Sequence, residues 1–189
     1  MPVLHGAVVL CDANVLYKSL VRDLIVRLGI QGVIRPRWTN EIHEEWIGNL
    51  LAHRPDLSRV RLERTRDMMN RAVPESLVTA QARSDHTLPD PDDQHVLNAA
   101  LASGASVLLT FNLADFPSRA LPPHLQAVHP DPFLQGCLEG QTASVLEALQ
   151  ELRAALSRPP ITTQELLDGL KRAEVPSFAE KLQVWAEKI

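Results

Sequence analysis

The sequence predicts an α/β protein in three layers, a central parallel sheet with helices on both faces, followed by an all-helical C-terminal extension. Up to about residue 130, short apolar runs alternate with stretches of helical periodicity, the pattern of a parallel sheet. Two of the runs, Ala7-Val-Val-Leu-Cys11 and Ser106-Val-Leu-Leu-Thr110, are unbroken, as in strands buried on both faces. Beyond Leu121-Pro-Pro and His129-Pro-Asp-Pro only helical stripes and capping signals recur. Residues 1–130 are therefore assigned to the α/β domain and residues 131–189 to the helical extension.

Composition narrows the function classes. At 189 residues and 21.0 kDa the chain can bury a real core, and its 45% apolar and 22% charged fractions are those of a soluble globular protein. No run approaches the roughly 20 apolar residues of a membrane span. The stretch MPVLHGAVVLCDAN lacks a basic flank and is short for a signal peptide, so a cytoplasmic protein is expected. Cys11, in a predicted strand, and Cys137, in a predicted loop, suggest no disulfide framework. The seven histidines show no zinc-site spacing. A net charge of −4 argues against a large basic surface for nonspecific DNA binding.

The elements follow in order. The first strand, Ala7–Cys11, ends at Asp12, and Asn14 is placed to cap a helix whose Val15, Leu16, Leu20, Leu24 and Leu28 keep helical spacing to Gly29. Asp12 reads either as a helix cap or as a carboxylate delivered to the strand's carboxyl end. A short strand, Val33-Ile-Arg35, is closed by Pro36. The helix from Thr39 to His53 repeats Ile42, Trp46 and Leu50, with Ile47 and Leu51 more lateral. On its wheel Glu45 lies about 60° from Ile42, Glu41 at the margin and Glu44 on the far side. A solvated acidic first turn explains Glu41 and Glu44; it explains Glu45 less well. Residues 56–73 are predicted as a helix whose arginines do not share a face, a solvated surface with ion pairs. Leu77 to Leu88 has no clear pattern.

The chemistry concentrates in Asp90–Phe116, DPDDQHVLNAALASGASVLLTFNLADF. Asp90 is a good N-cap and Pro91 suits the first helical position. Asp93 then shares a face with Val96, Leu97 and Ala100, while Asp92 falls to the side. A carboxylate on an apolar face is costly unless a cation or donors meet it. Gly104 ends the helix, and the next strand delivers Thr110, Asn112 and Asp115 to its carboxyl end, where open α/β sheets gather ligands.

The extension carries the stripe Val145, Leu149, Leu152, Leu156, broken by Pro159-Pro160. Thr162-x-x-Glu165 and Ser177-x-x-Glu180 read as two capping boxes. Phe178, Leu182, Trp185 and Ile189 form a last stripe, which requires cover by the sheet domain or by a second copy of the chain in a homodimer.

Asp12, Glu45, Asp93 and Asp115, or its neighbour Asn112, thus converge on one sheet edge. Clustered carboxylates repel one another and desolvate poorly. Hard divalent ions such as Mg²⁺ or Mn²⁺ resolve this, and a pair of them suits in-line phosphodiester displacement by water.

The motifs Cys11-Asp12-Ala-Asn14-Val-Leu, Thr39-x-x-Ile42-x-x-Glu45, Asp90-Pro-Asp-Asp93 with Val96-Leu97-x-Ala-Ala100, and Thr110-x-Asn112-x-x-Asp115-Phe116 together resemble the PIN-domain nucleases over residues 5 to about 130. The resemblance implies a PIN-like parallel sheet of about five strands and a Mg²⁺- or Mn²⁺-dependent endoribonuclease. It implies Asp12 and Asp93 as metal ligands, with Glu45 and Asp115 completing the catalytic set. Asn14, Thr110 and Asn112 would orient ligands and the attacked phosphate, with Asp90 and Asp92 in support. Asn112 stands where many relatives carry Asp, which leaves one ion or two open. With its helical extension the chain also resembles VapC-type toxins, which implies RNA as substrate and a cognate antitoxin as partner in a type II toxin–antitoxin pair.

Three other readings are weighed against this one. A non-catalytic PIN-like RNA-binding module and an RNA-processing nuclease outside any toxin system share the fold. A haloacid-dehalogenase-type phosphatase would need an acid where Asn14 stands.

Overall fold

The computed structural model describes residues 5–79, 85–157 and 159–189. Its sheet comprises β1 (Ala7–Cys11), β2 (Ile34–Arg37), β3 (Val107–Leu109) and β4 (Gln126–Val128), all parallel, in the order β2-β1-β3-β4. Central β1 sets Val9 opposite both Pro36 and Val107. The expected five strands are thus four among the described residues. Beside β2 a single parallel bridge, Trp38↔Leu77, takes the fifth place, and residues 80–84 of the unpatterned 77–88 stretch lie outside the described residues. Pro36 also lies within β2 rather than closing it. Among the described residues only one side of this strand runs along a neighbouring strand, so the missing N–H costs little there.

The predicted first helix is two: α1 (Ala13–Tyr17) and α2 (Ser19–Ile30), separated at Lys18, whose ψ of 103° is extended. Its cap is Asp12, not Asn14, because the Asn14 side chain is spent across the sheet edge. Buried Arg22 spans the break, donating to the Leu16 carbonyl at 2.9 Å with its guanidinium over Trp46. Helix α3 (Asn40–His53) starts where expected, next to Thr39, which proves to be its cap: the Thr39 hydroxyl accepts from the Ile42 N–H at 3.1 Å. It buries Ile42, His43, Trp46 and Ile47.

A polar network inside this apolar face fixes the phase of α3. Trp46 Nε1–H donates to His43 Nδ1 at 2.9 Å, and Asn70 Oδ1 accepts from Trp38 Nε1 at 2.7 Å and lies 3.1 Å from His43 Nε2. Burial pushes the His43 pKa down to about 4, so the ring is neutral, as an acceptor at Nδ1 requires. Asn70 belongs to α4 (Arg59–Ala72), two of whose arginines pair at the surface: Arg59 with Glu44 and Glu63, Arg66 with Glu44 and Asp67.

Helix α5 (Gln94–Ala102) follows a 3₁₀ turn, Pro91–Asp93, and Gly104 at φ 65° closes it in the left-handed conformation that favours glycine. The extension comprises α6 (Pro130–Gly140), α7 (Thr142–Ala155), α8 (Thr163–Arg172), α9 (Pro176–Lys181) and a 3₁₀ segment, Leu182–Lys188. Cys137 lies buried within α6, not in a loop. Thr162 and Glu165 form the expected capping box, but Ser177 and Glu180 do not. Pro176 takes the first helical position of α9, and the first-turn N–H groups of Ser177 and Phe178 donate instead to the Asp131 carboxylate of α6, at 3.2 and 2.7 Å.

Helices α7 and α8 pack on α2, so Val145, Leu149, Leu167 and Phe178 share one apolar core with Leu10, Leu24 and Leu108. In the last stripe Phe178, Leu182 and Ile189 are buried and Trp185 packs against the same core, so this stripe turns to its own chain. No helix among the described residues is long and apolar enough to cross a membrane.

Candidate functional site

Because all four strands are parallel, their carboxyl ends share one edge, and β1 and β3, paired in register, bring Asp12 beside Thr110. The Asp12 carboxylate is buried and well bonded. Its Oδ1 accepts from the Ala13 N–H at 2.6 Å, and its Oδ2 accepts from Asn14 Nδ2 at 2.6 Å and Thr110 Oγ1 at 2.7 Å. Asn14 is the joint of this group: its Nδ2 also lies 2.9 Å from Thr110 Oγ1, while its Oδ1 accepts from the Phe111 N–H at 3.0 Å. The Asn112 N–H donates to Thr110 Oγ1 at 3.0 Å, and the Asn112 amide donates to Asp115. Burial raises the Asp12 pKa; the Thr110 and Ala13 bonds oppose this and the Glu45 charge adds to it. Asp12 is thus both the helix cap of one sequence reading and the edge carboxylate of the other.

Asp93 stands half-buried at the junction of the 3₁₀ turn and α5, on the side of the buried Val96, Leu97 and Ala100. Its pKa is pushed up to about 6, first by desolvation and then by the charges of Asp115, Asp12, Asp90 and Glu45. Four carboxylates therefore bear on Asp93. Asp90 caps the turn, accepting from the Asp92 N–H at 2.9 Å, and Asp92 itself is exposed.

The three glutamates of α3 separate as the wheel predicts. Exposed Glu44 pairs with Arg59 at 3.0 Å, and exposed Glu41 approaches His95 at 3.6 Å. Glu45 alone is half-buried, with its Oε1 2.6 Å from His95 Nε2. Burial works against the His95 imidazolium, but Glu45, then Glu41 and Asp12, outweigh it and raise the pKa. Sequence reasoning missed His95, having set the histidines aside for lack of zinc spacing. The available signal was its place two residues after Asp93.

Among the described residues no three His, Cys, Asp or Glu side chains stand close enough to hold one ion in this arrangement. The donor set nevertheless fits a hard divalent cation: Asp12, Glu45, Asp93 and Asp115 offer only oxygen, and a cation between them relieves the mutual repulsion felt at Asp93.

Comparison with known proteins gives the family of the fold. Residues 130–184 match the VapC50 C-terminal domain. The chain is 40% identical over 90 residues to a protein of Mycobacterium tuberculosis named "Putative ribonuclease VapC50", a match covering 47% of this chain and 53% of the relative. The chain thus spans about half the length of the curated relative it matches. No solved structure matches it significantly. Residues 8–114, more than half of the chain, match the PIN domain and take in Asp12, Glu45 and Asp93, with Asp115 one residue beyond. Fold, carboxylate edge and sequence match coincide: the chain belongs to the PIN-domain family.

Proposed function

We propose that this chain is a metal-dependent endoribonuclease that hydrolyses RNA phosphodiester bonds, and that it acts as the toxin of a type II toxin–antitoxin pair. The observation that supports the reading is that Asp115, Asp12, Asp90 and Glu45 all help to raise the pKa of Asp93, beside the buried Asp12 that follows β1. The name of the mycobacterial relative and the match of the helical extension support the toxin assignment. In this reading residues 1–130 form the nuclease and residues 131–189 the extension. The partners are RNA and a cognate antitoxin protein, and the work is done in the cytoplasm.

Asp12 and Asp93 would hold the ion, with Glu45 and Asp115 completing its surroundings. A bound Mg²⁺ or Mn²⁺ lowers the pKa of a water and steadies the charge that builds on the phosphate oxygens. The chain's own groups supply position. Thr110 and Asn14 lock the Asp12 carboxylate in one rotamer, His95 draws Glu45 inward, and the Asn112 amide holds Asp115. In-line attack of water on phosphorus breaks the P–O3′ bond, so the leaving oxygen becomes a 3′-hydroxyl and the new end a 5′-phosphate.

The test is cleavage of single-stranded RNA by the purified chain with Mg²⁺ or Mn²⁺, with loss of cutting in excess EDTA. Cutting that persists undiminished in EDTA, or products ending in cyclic phosphate, would overturn the reading. RNA binding without turnover would point to a non-catalytic module.

A further inference from the structure

We propose that single-stranded RNA runs from the carboxylate edge across Phe111 into the cleft between α2 and α8. There Lys18 and Arg172 take backbone phosphates, and Glu174 of the extension competes with the RNA for Lys18. This deepens the ribonuclease reading and rests on it.

The path is built outward from the site. The Asn14 amide that donates to Asp12 also accepts from the Phe111 N–H, so the Phe111 backbone is tied to the carboxylate group by two hydrogen bonds. The Phe111 ring is half-buried, with His129 edge-on at 5.0 Å and the Lys18 ammonium over it at 4.8 Å. An aromatic ring joined to a cation over it is a combination that surfaces holding single strands by stacking and charge employ. Beyond Lys18 lies an open cleft of about 270 Å³ lined by Lys18, Ser19, Leu20, Gly169, Arg172 and Ala173. Arg172 has no ion-pair partner among the described residues. In a chain of net charge −4, two cations flanking one cleft beside an acidic site have a clear use: they offset the repulsion an RNA backbone meets there.

Glu174 is the second observation. Its Oε1 pairs with Lys18 Nζ at 2.8 Å. It follows the C-terminal end of α8 at φ 66°, and among the described residues no other non-glycine has a left-handed backbone. Local structure argues against glutamate here twice. The position favours glycine, and the helix dipole disfavours an acid at this end. What the side chain gains is its contact with Lys18, so the extension holds the lysine until a phosphate displaces it.

The test measures binding of a fluorescent single-stranded RNA oligonucleotide to the full chain in EDTA at several salt concentrations. Lys18→Gln and Arg172→Gln are each expected to weaken binding and to flatten the slope of log K against log salt by about 0.7. Phe111→Leu weakens binding about fivefold or more with the slope unchanged, while Phe111→Trp, which keeps a stacking face, retains affinity. Glu174→Gln tightens binding roughly two- to fivefold, the range of an exposed ion pair, and this gain disappears in the Lys18→Gln background. An equal gain in both backgrounds, or slopes unchanged by Lys18→Gln and Arg172→Gln, overturns the proposal. If the wild-type chain cuts RNA but all variants bind alike, this inference alone falls. If the variants behave as expected and the wild type never cuts, the nuclease reading falls and the RNA path stands. A wild type that does not bind RNA removes both.

Discussion

Asp93 holds a carboxyl group on which Asp115, Asp12, Asp90 and Glu45 all bear, and this crowding has a thermodynamic sign. Its pKa rises from 3.8 to about 6 on folding, so the folded chain binds more protons than the unfolded one between those values. Stability therefore falls as pH rises through that window, and the penalty is complete above it. Asp93→Asn removes the penalty along with a carboxylate donor. In EDTA the variant is expected to melt higher than wild type, by a margin that is small near pH 4, grows to about pH 6 and then levels. In Mg²⁺ it is expected to be inactive. A lower melting temperature at neutral pH would show Asp93 to be an ordinary first-turn acid. The glutamates of α3 give a second test at this scale. Glu45→Gln is expected to lower the metal-dependent rate by orders of magnitude, since it alone leans inward, against His95. Glu44→Gln, which loses only surface pairs with Arg59 and Arg66, is expected to be near neutral, with Glu41→Gln between. Kinetics of the three purified variants decide it, and the reverse order would remove Glu45 from the site.

At the scale of elements, α9 shows how a helix start is decided away from its own sequence. Ser177 and Glu180 have capping-box spacing, yet the cap comes from Asp131, 46 residues upstream of Ser177. Asp131→Ala leaves the Phe178 N–H buried without a partner and removes two charge-assisted bonds. The expected cost is about 2–3 kcal/mol in urea unfolding. Ser177→Ala is expected to be close to neutral. Equal effects of the two changes would restore the local capping box.

At the scale of the whole molecule, the extension completes the fold. Helices α7 and α8 cover α2, and Phe178, Leu182 and Ile189 lie buried in the same apolar cluster as the sheet. Deleting residues 141–189 would lay bare the faces of α2 and α6 that these helices cover. The truncated chain is expected to aggregate, read by size-exclusion chromatography with light scattering. A monodisperse, equally stable truncation would make the extension an independent appendage.

The strands β1, β2 and β3, helix α3, the Gly104 stop and the inward face of Asp93 were legible in the sequence because each depends on neighbours within a turn or two. The meeting of Asp12 and Thr110 was legible one step further, since parallel strands place their carboxyl ends on a common edge. The break at Lys18, the role of Asn14, the Asp131 cap and the Glu45–His95 contact were not. Asn14 bonds to Thr110 and Phe111, 96 and 97 residues away, and only the β1–β3 register brings them within reach. His95 belongs to the site because α5 and α3 set it beside Glu45. By itself, then, the sequence determined which residues carry charge to which end of which element. Tertiary structure decided which of them meet, because hydrogen bonds and ion pairs act over a few ångströms of space, whatever the separation along the chain.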